Sequence, residues 1–280
     1  MSGAVVSAMG AGVNILPPVA NPVSAAVAFD SSANNIPLSI TGGAPSSVHV
    51  STAPVNGTAT PSGLTIAYTP NSGFSGPDPF AYTATNAGGT SAPATASITV
   101  NPFAPVTNTY TSGSGTETVP TGASQCVITA WGGGACGAGV TGHGIPGGGG
   151  GAQSIKTIAV TGGDTLSYSV AAYELGTGSS LAGTGNPSTV TGTVAGGAVN
   201  MTANGGAGSL GGAASGGDTN TSGGNASGMN GGAGANGGSG GSGGVSSGGS
   251  PGAAPGGGGG GGNSGEGFFG AAGEISFSYT

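Results

Sequence analysis

The feature that most constrains the fold of this chain is the spacing of its glycines. In one stretch, glycine occupies every third position without interruption: Gly228, Gly231, Gly234, Gly237, Gly240 and Gly243. Three residues per turn is the period of the polyproline-II helix, which has no internal hydrogen bonds. Helices of this kind can bury their peptide groups only by bonding to one another, and close contact restricts the inward positions to residues without a Cβ. We therefore predict that residues 176–270 fold as packed polyglycine-II helices.

Two other structures share parts of this pattern. A flexible Gly/Ser linker has no need of a period, and it would not explain apolar residues such as Val190, Met201 and Leu210 along the region. A collagen triple helix needs glycine at every third position throughout, whereas the register here breaks at Ser246. The linker stays open as the alternative. The packed helices further predict that Phe268 and Phe269, after the last glycine run, seal its end against a sheet.

The charge of the chain argues against several classes of partner. It has one basic residue, Lys156, against eight Asp and Glu, for a net charge of −7. Nucleic-acid binding depends on neutralising phosphates with Lys and Arg, so no nucleic-acid partner is expected. No run of apolar residues is long enough for a membrane span, and the N-terminus lacks the basic start of a secretory signal. We expect neither membrane insertion nor export through such a signal.

Proline and glycine divide the chain into three regions, and the predicted fold class is all-β. The prolines within 16–22 favour extended chain, so residues 1–27 are interpreted as an N-terminal attachment arm. Residues 28–102 contain short alternating segments bounded by turn residues, which predicts an Ig-like β-sandwich. Residues 103–280 are predicted to be a glycine-rich domain in which strands within 108–171 and 273–280 frame the polyglycine region.

The middle region carries a specific set of motifs: Tyr68-Thr69-Pro70, Gly73-Phe74-Ser75-Gly76, Asp78, Phe80 and Tyr82. In these residues it resembles a bacterial and phage Ig-like module related to cadherin repeats. The resemblance implies a spacer or a weak adhesion unit. Calcium sites of the cadherin type need several carboxylates, whereas Asp78 is nearly alone. We therefore interpret Asp78 as capping a turn and expect no metal.

The start of the third region carries a second set: Tyr110, Gly115-Thr116, Val119-Pro120, Gly122, Val127, Trp131 and the glycines 132–134. Here the chain resembles the glycine-rich domain of bacteriophage tail fibres and tail-tip proteins, which typically closes with a strand such as residues 273–280. The resemblance implies a compact sandwich of polyglycine helices whose connecting loops contact the host surface. Cys126 and Cys136 are departures from that pattern.

The resemblance directs attention to the glycine-poor stretches 172–183, 215–230 and 246–255 as recognition loops. Within them Tyr173, Asp218, Asn220 and Asn225 are the candidate receptor contacts, because amides and aromatic rings suit sugars and protein loops alike. Ordinary turn chemistry is the alternative interpretation for each of these residues.

No catalytic grouping is apparent in the sequence. The two histidines, His49 and His143, have no nucleophile at motif spacing, and Lys156 is not part of a phosphate-binding loop. We expect a protein that is not an enzyme and has no cofactor. The spacing of Cys126 and Cys136 fits neither a zinc ribbon nor a CxxC pair, and it leaves two buried free thiols, a disulfide and, as the remainder, another kind of metal site open.

These observations together predict a non-enzymatic phage virion protein, a tail fibre or tail-tip component. It would be assembled in the host cytoplasm and exposed on the particle exterior. The arm would bind other virion proteins, and the glycine-rich domain would bind a host receptor, either protein or glycan. A structural role in the virion, such as a capsid decoration or head fibre, and a bacterial surface adhesin are the alternatives. Whether the chain forms a homo-oligomer is open, because no heptads or collagen run encode it.

Overall fold

The computed structural model describes residues 15–139, 146–173, 183–241, 250–259 and 267–280. These residues form an all-β structure, which confirms the predicted fold class. The chain divides into two compact units, residues 1–103 and 104–280. Among the described residues, no helix is long and apolar enough to cross a membrane.

The described residues of the first unit, 15–103, form eleven strands in three sheets. The largest sheet has the order β10-β9-β11-β2, with β5 added to β9 and β8 added to β11; β3-β7-β6 and β1-β4 form the other two. The strands are β1 (Pro18–Asn21), β2 (Val23–Val27), β3 (Asn34–Ile36), β4 (Ser39–Gly42), β5 (Ser47–Thr52), β6 (Gly57–Ser62), β7 (Thr65–Pro70), β8 (Gly76–Pro77), β9 (Phe80–Asn86), β10 (Gly89–Thr90) and β11 (Ala94–Val100).

One side-chain core joins the sheets of the first unit. Alternate residues of β7, β9 and β11 point inward, so Ile66, Tyr68, Tyr82 and Ile98 are almost completely buried in one cluster. The rings of Tyr68 and Phe80 stack with their centroids 6.5 Å apart. This is the alternating pattern that the sequence predicts for a sandwich.

The structure corrects the predicted attachment arm over residues 18–27. These residues form β1 and β2, and β2 pairs in parallel with β11, from Val23 opposite Ala96 to Val27 opposite Val100. Pro22 lies between the two strands, where its missing N–H and fixed φ suit the point at which the chain leaves one sheet and joins the other. Residues 1–14 lie outside the described residues, so an attachment role for them stays a prediction.

The second unit contains a sandwich of two five-stranded sheets, with the orders β12-β21-β14-β15-β20 and β13-β16-β17-β18-β19. Every pairing in these sheets is antiparallel. The strands are β12 (Val106–Tyr110), β13 (Ser114–Thr118), β14 (Gln125–Trp131), β15 (Gln153–Ala159), β16 (Thr165–Ser169), β17 (Ser188–Val194), β18 (Gly197–Ala203), β19 (Ala214–Ser215), β20 (Thr219–Thr221) and β21 (Glu274–Tyr279).

The glycine-rich chain leaves this sandwich at one end. Trp131 pairs with both Gln153 and Glu274, so the ends of β14, β15 and β21 lie side by side. Ser188 at the start of β17 pairs with Ala203 at the end of β18, and its hydroxyl donates to the carbonyl of Trp131 at 2.6 Å. This bond ties the two sheets together at the end from which the glycine segments continue.

The structure also corrects the predicted arrangement of strands around one polyglycine region. Four strands, β17 to β20, lie inside residues 176–270, and glycine segments lie inside the predicted frame, at 132–139 and 146–152. The reason is visible in 188–203, where Val and Thr alternate as in an ordinary hairpin. Because sheet and glycine segments interleave along the chain, most glycine segments are anchored to a strand.

Candidate functional site: a bundle bonded through the main chain

Seven glycine-rich segments pack together beyond the end of the sandwich, and we call them the glycine bundle: residues 132–139, 146–152, 183–187, 204–213, 222–241, 250–259 and 267–273. They are linked by main-chain hydrogen bonds between segments. Most of their glycines are buried, and the atoms nearest to them belong mainly to the main chain of neighbouring segments. The bundle therefore has an interior made of peptide groups.

Residues 146–152 form the central segment of the bundle, and their N–H groups follow a period of three. Each third residue donates to the same neighbouring segment, and the next residue donates to a different one. The six bonds are Gly147 to Gly228 and Gly150 to Gly224, Gly148 to Gly259 and Gly151 to Gly256, and Gly149 to Gly208 and Ala152 to Asn204, with lengths from 2.7 to 3.0 Å.

The carbonyl groups of the central segment show the same period. The carbonyls of Pro146, Gly149 and Ala152 accept from the N–H groups of Ala138, Ala135 and Gly132, respectively. The carbonyls of Gly148 and Gly151 accept from Gly232 and Ala235, and that of Gly150 accepts from Gly212. The donors and acceptors together bond the central segment to neighbours on all sides. Three residues per repeat is the period of a polyproline-II helix. The polyglycine-II conformation of the individual segments stays a prediction.

The central glycines cannot carry a side chain. A Cβ built on Gly148 would run into the carbonyl oxygen of Ala135, and one on Gly149 into that of Leu210. The same holds in the stretch with the three-residue period, where a Cβ on Gly231 or Gly240 would meet a main-chain oxygen. The prediction that packing restricts these positions to glycine is thus supported by the contacts at each of them.

Two hairpin turns reverse the chain in the bundle, away from the ends of the strands. In 207–210 and in 227–230, the first and fourth residues exchange both N–H···O=C bonds, at 2.9 to 3.1 Å. Gly208 and Gly228 occupy the turns with φ of +59° and +57°, a conformation that favours glycine. Gly228 accepts from Gly147, the first glycine of the central segment, so this turn lies at the end opposite β15. We call this the turn end.

A signal in the sequence could have located these turns. Residues 207–213 read AGSLGGA and residues 227–233 read SGMNGGA, which share Gly at the second position and Gly-Gly-Ala at the end. The two turns in the structure coincide with this repeat. This longer repeat lay outside the prediction, which rested on the three-residue period of glycine alone.

The candidate contacts Asp218 and Asn220 lie beside β15 rather than at the turn end. The Asp218 carboxylate accepts from the Thr157 N–H at 2.7 Å and lies 3.6 Å from the Lys156 ammonium. The Thr157 hydrogen bond, with a smaller contribution from Lys156, holds the pKa of Asp218 below its usual value. Asn220 accepts from the Ser154 hydroxyl at 2.8 Å and donates to the Gly217 carbonyl at 2.9 Å. Both side chains stabilise the β19–β20 connection.

The other two candidates lie on the bundle. The Asn225 side chain accepts from the Gly211 N–H at 2.8 Å and so links the two hairpins. Tyr173 is 58 % exposed and contacts Phe269, which is 47 % exposed. Phe269 was predicted to seal the tract, and its exposure corrects that prediction. The four candidates do not form one site, and parts of 172–183 and 246–255 lie outside the described residues.

Both cysteines are buried free thiols, and they lie in different parts of the unit. Cys126 belongs to β14, where burial raises its pKa to about 12 and makes it an unreactive thiol. Cys136 lies in the bundle, next to Gly183. Of the alternatives that the sequence leaves open, the structure has the free thiols.

A buried carboxylate that the sequence analysis did not single out organises the sandwich of the second unit. Glu117 is 3 % exposed and accepts from Asn108 at 2.8 Å, Tyr110 at 2.6 Å and Tyr279 at 2.9 Å. The pKa of Tyr110 is raised mainly by its hydrogen bond to Glu117 and, to a smaller extent, by burial. The pKa of Tyr279 is raised mainly by burial and, to a smaller extent, by its hydrogen bond to Glu117. All of its bonds come from neutral donors, so Glu117 is a structural hub of the core.

Asp78 has the corresponding role in the first unit. It is 1 % exposed and accepts from the N–H groups of Val55 and Asn56, each at 2.9 Å, and from the Tyr68 hydroxyl at 2.7 Å. This agrees with the interpretation of Asp78 as a turn cap. Within the described ranges, no three His, Cys, Asp or Glu side chains are grouped as metal ligands would be.

The fold of the first unit is that of an Ig-like β-sandwich. Residues 14–99 match a family model described as Bacterial Ig domain. No curated protein matches the chain. A bacterial Ig-like domain is typical of a surface, adhesion-type or structural protein, and the family match ends before the glycine bundle.

Proposed function

We propose that this chain is a phage virion protein, a tail-fibre or tail-tip component whose glycine bundle binds the host surface. The first unit supplies the Ig-like spacer, and the second supplies the recognition domain. The observation that carries the proposal is the turn end. A main-chain-bonded bundle holds two hairpin turns, with their Ser209 and Met229 side chains, away from the strands of the sandwich.

The chemistry of the molecule favours a binding role over catalysis. Its buried carboxylates are engaged by neutral donors, and the one Lys is paired with Asp218. A bundle held by main-chain bonds fixes its turns without depending on the side chains in them. Turn residues can therefore differ between related proteins while the scaffold is kept, which suits recognition of variable receptors. The phage setting is supported by the motif from Tyr110 to residues 132–134.

Competition with adsorption tests the proposal. Purified full-length protein, added to host cells before the phage, is expected to slow phage adsorption in a saturable manner. The Gly149→Val variant, in which a side chain is forced into the bundle, should lose this effect. Ala233→Val, on an exposed position of the same bundle, should keep it.

The position of the protein on the particle is the second half of the test. Immunogold labelling with an antibody to the chain is expected on the distal part of the tail. Label on the head, or full-length protein that leaves adsorption unchanged at saturating concentration, would contradict the proposal.

A further inference from the structure

Among the described residues of the second unit, one pair of aromatic rings is exposed. Of its aromatic side chains in the described ranges, Tyr173 and Phe269 are exposed, and the others are buried or half-buried. Their ring centroids lie 6.2 Å apart with the planes at 65°, so the two rings form an open corner. Elsewhere the described bundle surface consists mainly of glycine, alanine and small polar residues.

The main chain beneath the rings is held by the bundle. Phe269 accepts from the Gly252 N–H at 3.0 Å, and Ala171, two residues before Tyr173, accepts from Gly273 at 3.0 Å. The two rings come from segments about a hundred residues apart in sequence, and only the packing of the bundle brings them together. Main-chain bonds at or near each ring reduce the conformational entropy that the corner would lose on binding a ligand.

The charges around the corner limit what it can bind. The chain has one basic side chain, Lys156, and it is paired with Asp218 beside β15. An anionic ligand would therefore find no unpaired Lys or Arg among the residues that the structure describes. Aromatic rings instead offer large, amphipathic faces at low entropic cost, and the Tyr173 hydroxyl makes no hydrogen bond to residues that the structure describes.

We propose that Tyr173 and Phe269 bind an uncharged sugar ring of a host-surface glycan. The C–H face of the sugar packs on one ring and its edge lies against the other, while the Tyr173 hydroxyl bonds to a sugar hydroxyl. This inference deepens the proposed function by naming the ligand class, and it rests on that function for the host. The binding step itself can be measured without a phage.

The direct test uses full-length protein on an array of immobilised neutral and acidic oligosaccharides. We expect binding to at least one neutral glycan and a loss of about tenfold or more in affinity for Tyr173→Ala and for Phe269→Ala. Phe269→Tyr should retain binding, because it keeps the ring. The matched control is Val106→Ala, which removes another exposed apolar side chain of the second unit, 37 % exposed, and should leave binding unchanged.

Each variant is checked for folding by its thermal transition, so that lost binding is attributed to lost contact only where the transition is unchanged. Binding to no neutral glycan, or equal binding by the double variant Tyr173→Ala/Phe269→Ala, would overturn the inference. Treated host cells separate a sugar from a protein ligand. Ring-dependent binding that survives protease but not periodate supports the inference, and the reverse result overturns it.

The outcome is also distinguishable from that of the proposed function. If the wild-type chain blocks adsorption and the double variant blocks it equally well, the proposed function stands and the sugar site is wrong. If the chain binds the array through the two rings but never blocks adsorption, the sugar site stands and the tail function is wrong.

Discussion

The interior of the first unit consists of large side chains, whereas the interior of the glycine bundle consists of main chain. In the Ig-like sandwich, Ile66, Tyr68 and Phe80 fill the space between the sheets, and the peptide groups bond within the strands. In the bundle, the peptide groups of one segment bond to neighbouring segments in turn, with almost no side chain between them. Both interiors are closely packed, but they are packed from different parts of the residue.

The two kinds of interior differ in what stabilises them and in how they respond to substitution. Glycine loses more conformational freedom on folding than any other residue, so the bundle depends on one main-chain bond after another to offset that entropy. A side-chain core responds to truncation with a graded loss of apolar contact and transfer free energy. A core of main chain has almost no side chains to truncate, and it is destabilised when a side chain is added. Adding a side chain to the bundle and truncating one in the first unit should therefore have effects of different size.

Adding a side chain to the bundle is expected to have the largest effect. Gly149→Val places a side chain against the Leu210 carbonyl, where main chain rather than a flexible side chain must move. We expect a loss above the ~3 kcal/mol of ordinary overpacking, so that the bundle opens. Hydrogen exchange at 147–152 measures this directly, because these amides should be protected in the wild type and exchange rapidly in the variant.

Ala233→Val is the matched control, since its Cβ is already exposed on the same bundle. Its thermal transition should stay close to that of the wild type. Rapid exchange of 147–152 in the wild type, or an unchanged transition for Gly149→Val, would show that the contacts described for the bundle do not hold it together.

Truncation in the first unit should give a smaller and graded effect. Ile66 is completely buried in β7, and Ile66→Ala is expected to destabilise the first unit by about 2–5 kcal/mol. Thr65→Ala, on the exposed face of the same strand, is the control and should change little. Differential scanning calorimetry would show the shift. A loss equal to that of Thr65→Ala would mean that the first unit does not depend on its side-chain core.

Removing one charge from a buried hub should cost less still. In Glu117→Gln, an NH2 group replaces one of the two oxygens that accept from Tyr110 and Tyr279. Two donors then face each other, so one buried hydrogen bond is lost, at a cost of about 1–3 kcal/mol. Glu274→Gln, a half-buried carboxyl on β21, is the control. Denaturant titration of both variants decides the matter, and equal midpoints would show that Glu117 is not the hub of this core.

The smallest effect concerns alkaline pH, and it should appear in both units. Burial and the bond to Asp78 raise the pKa of Tyr68, and burial and Glu117 raise that of Tyr279, above the usual value of 10.0. A raised folded-state pKa contributes stability that is complete below the unfolded-state pKa and is lost as pH rises through the folded-state value.

The free energy of unfolding should therefore stay constant below about pH 9. The raised pKa of Cys126 begins to lower it near pH 9, and the tyrosines should lower it steadily above pH 10. Denaturation midpoints between pH 7 and 12 measure this. Tyr279→Phe should flatten the decline, since it removes one titrating hydroxyl. A stability that rises across this range would contradict the assignment of these tyrosines as buried donors.

Much of the fold was accessible from local patterns. Alternation in 64–70, 80–86 and 95–101 located the central strands of the first unit, and Asp78 was interpreted as a cap because it is nearly alone. The period of three indicated a packed structure in which glycine is required. The strands of 188–203 were missed because the glycine content of their surroundings outweighed a clear alternation of Val and Thr.

The candidate site was less predictable, because its geometry depends on residues far apart in sequence. Asp218 and Asn220 were selected because they lie in a predicted recognition loop, yet they bond to Thr157 and Ser154 on a neighbouring strand. Phe269 was expected to be covered, and its packing against Tyr173 could not be read from either segment alone. Contacts between distant segments carry no local signature.

The sequence by itself determined that the chain is all-β, that an Ig-like module forms its first part, and that positions such as Gly231 admit no side chain. These properties follow from alternation, turn chemistry and the size of a Cβ, which act over a few residues. The tertiary structure alone decided which segments bond to the central segment 146–152, and which end of the bundle carries the turns. It decided them because a peptide group bonds equally well to any other, so only the packing of the whole unit selects its partner.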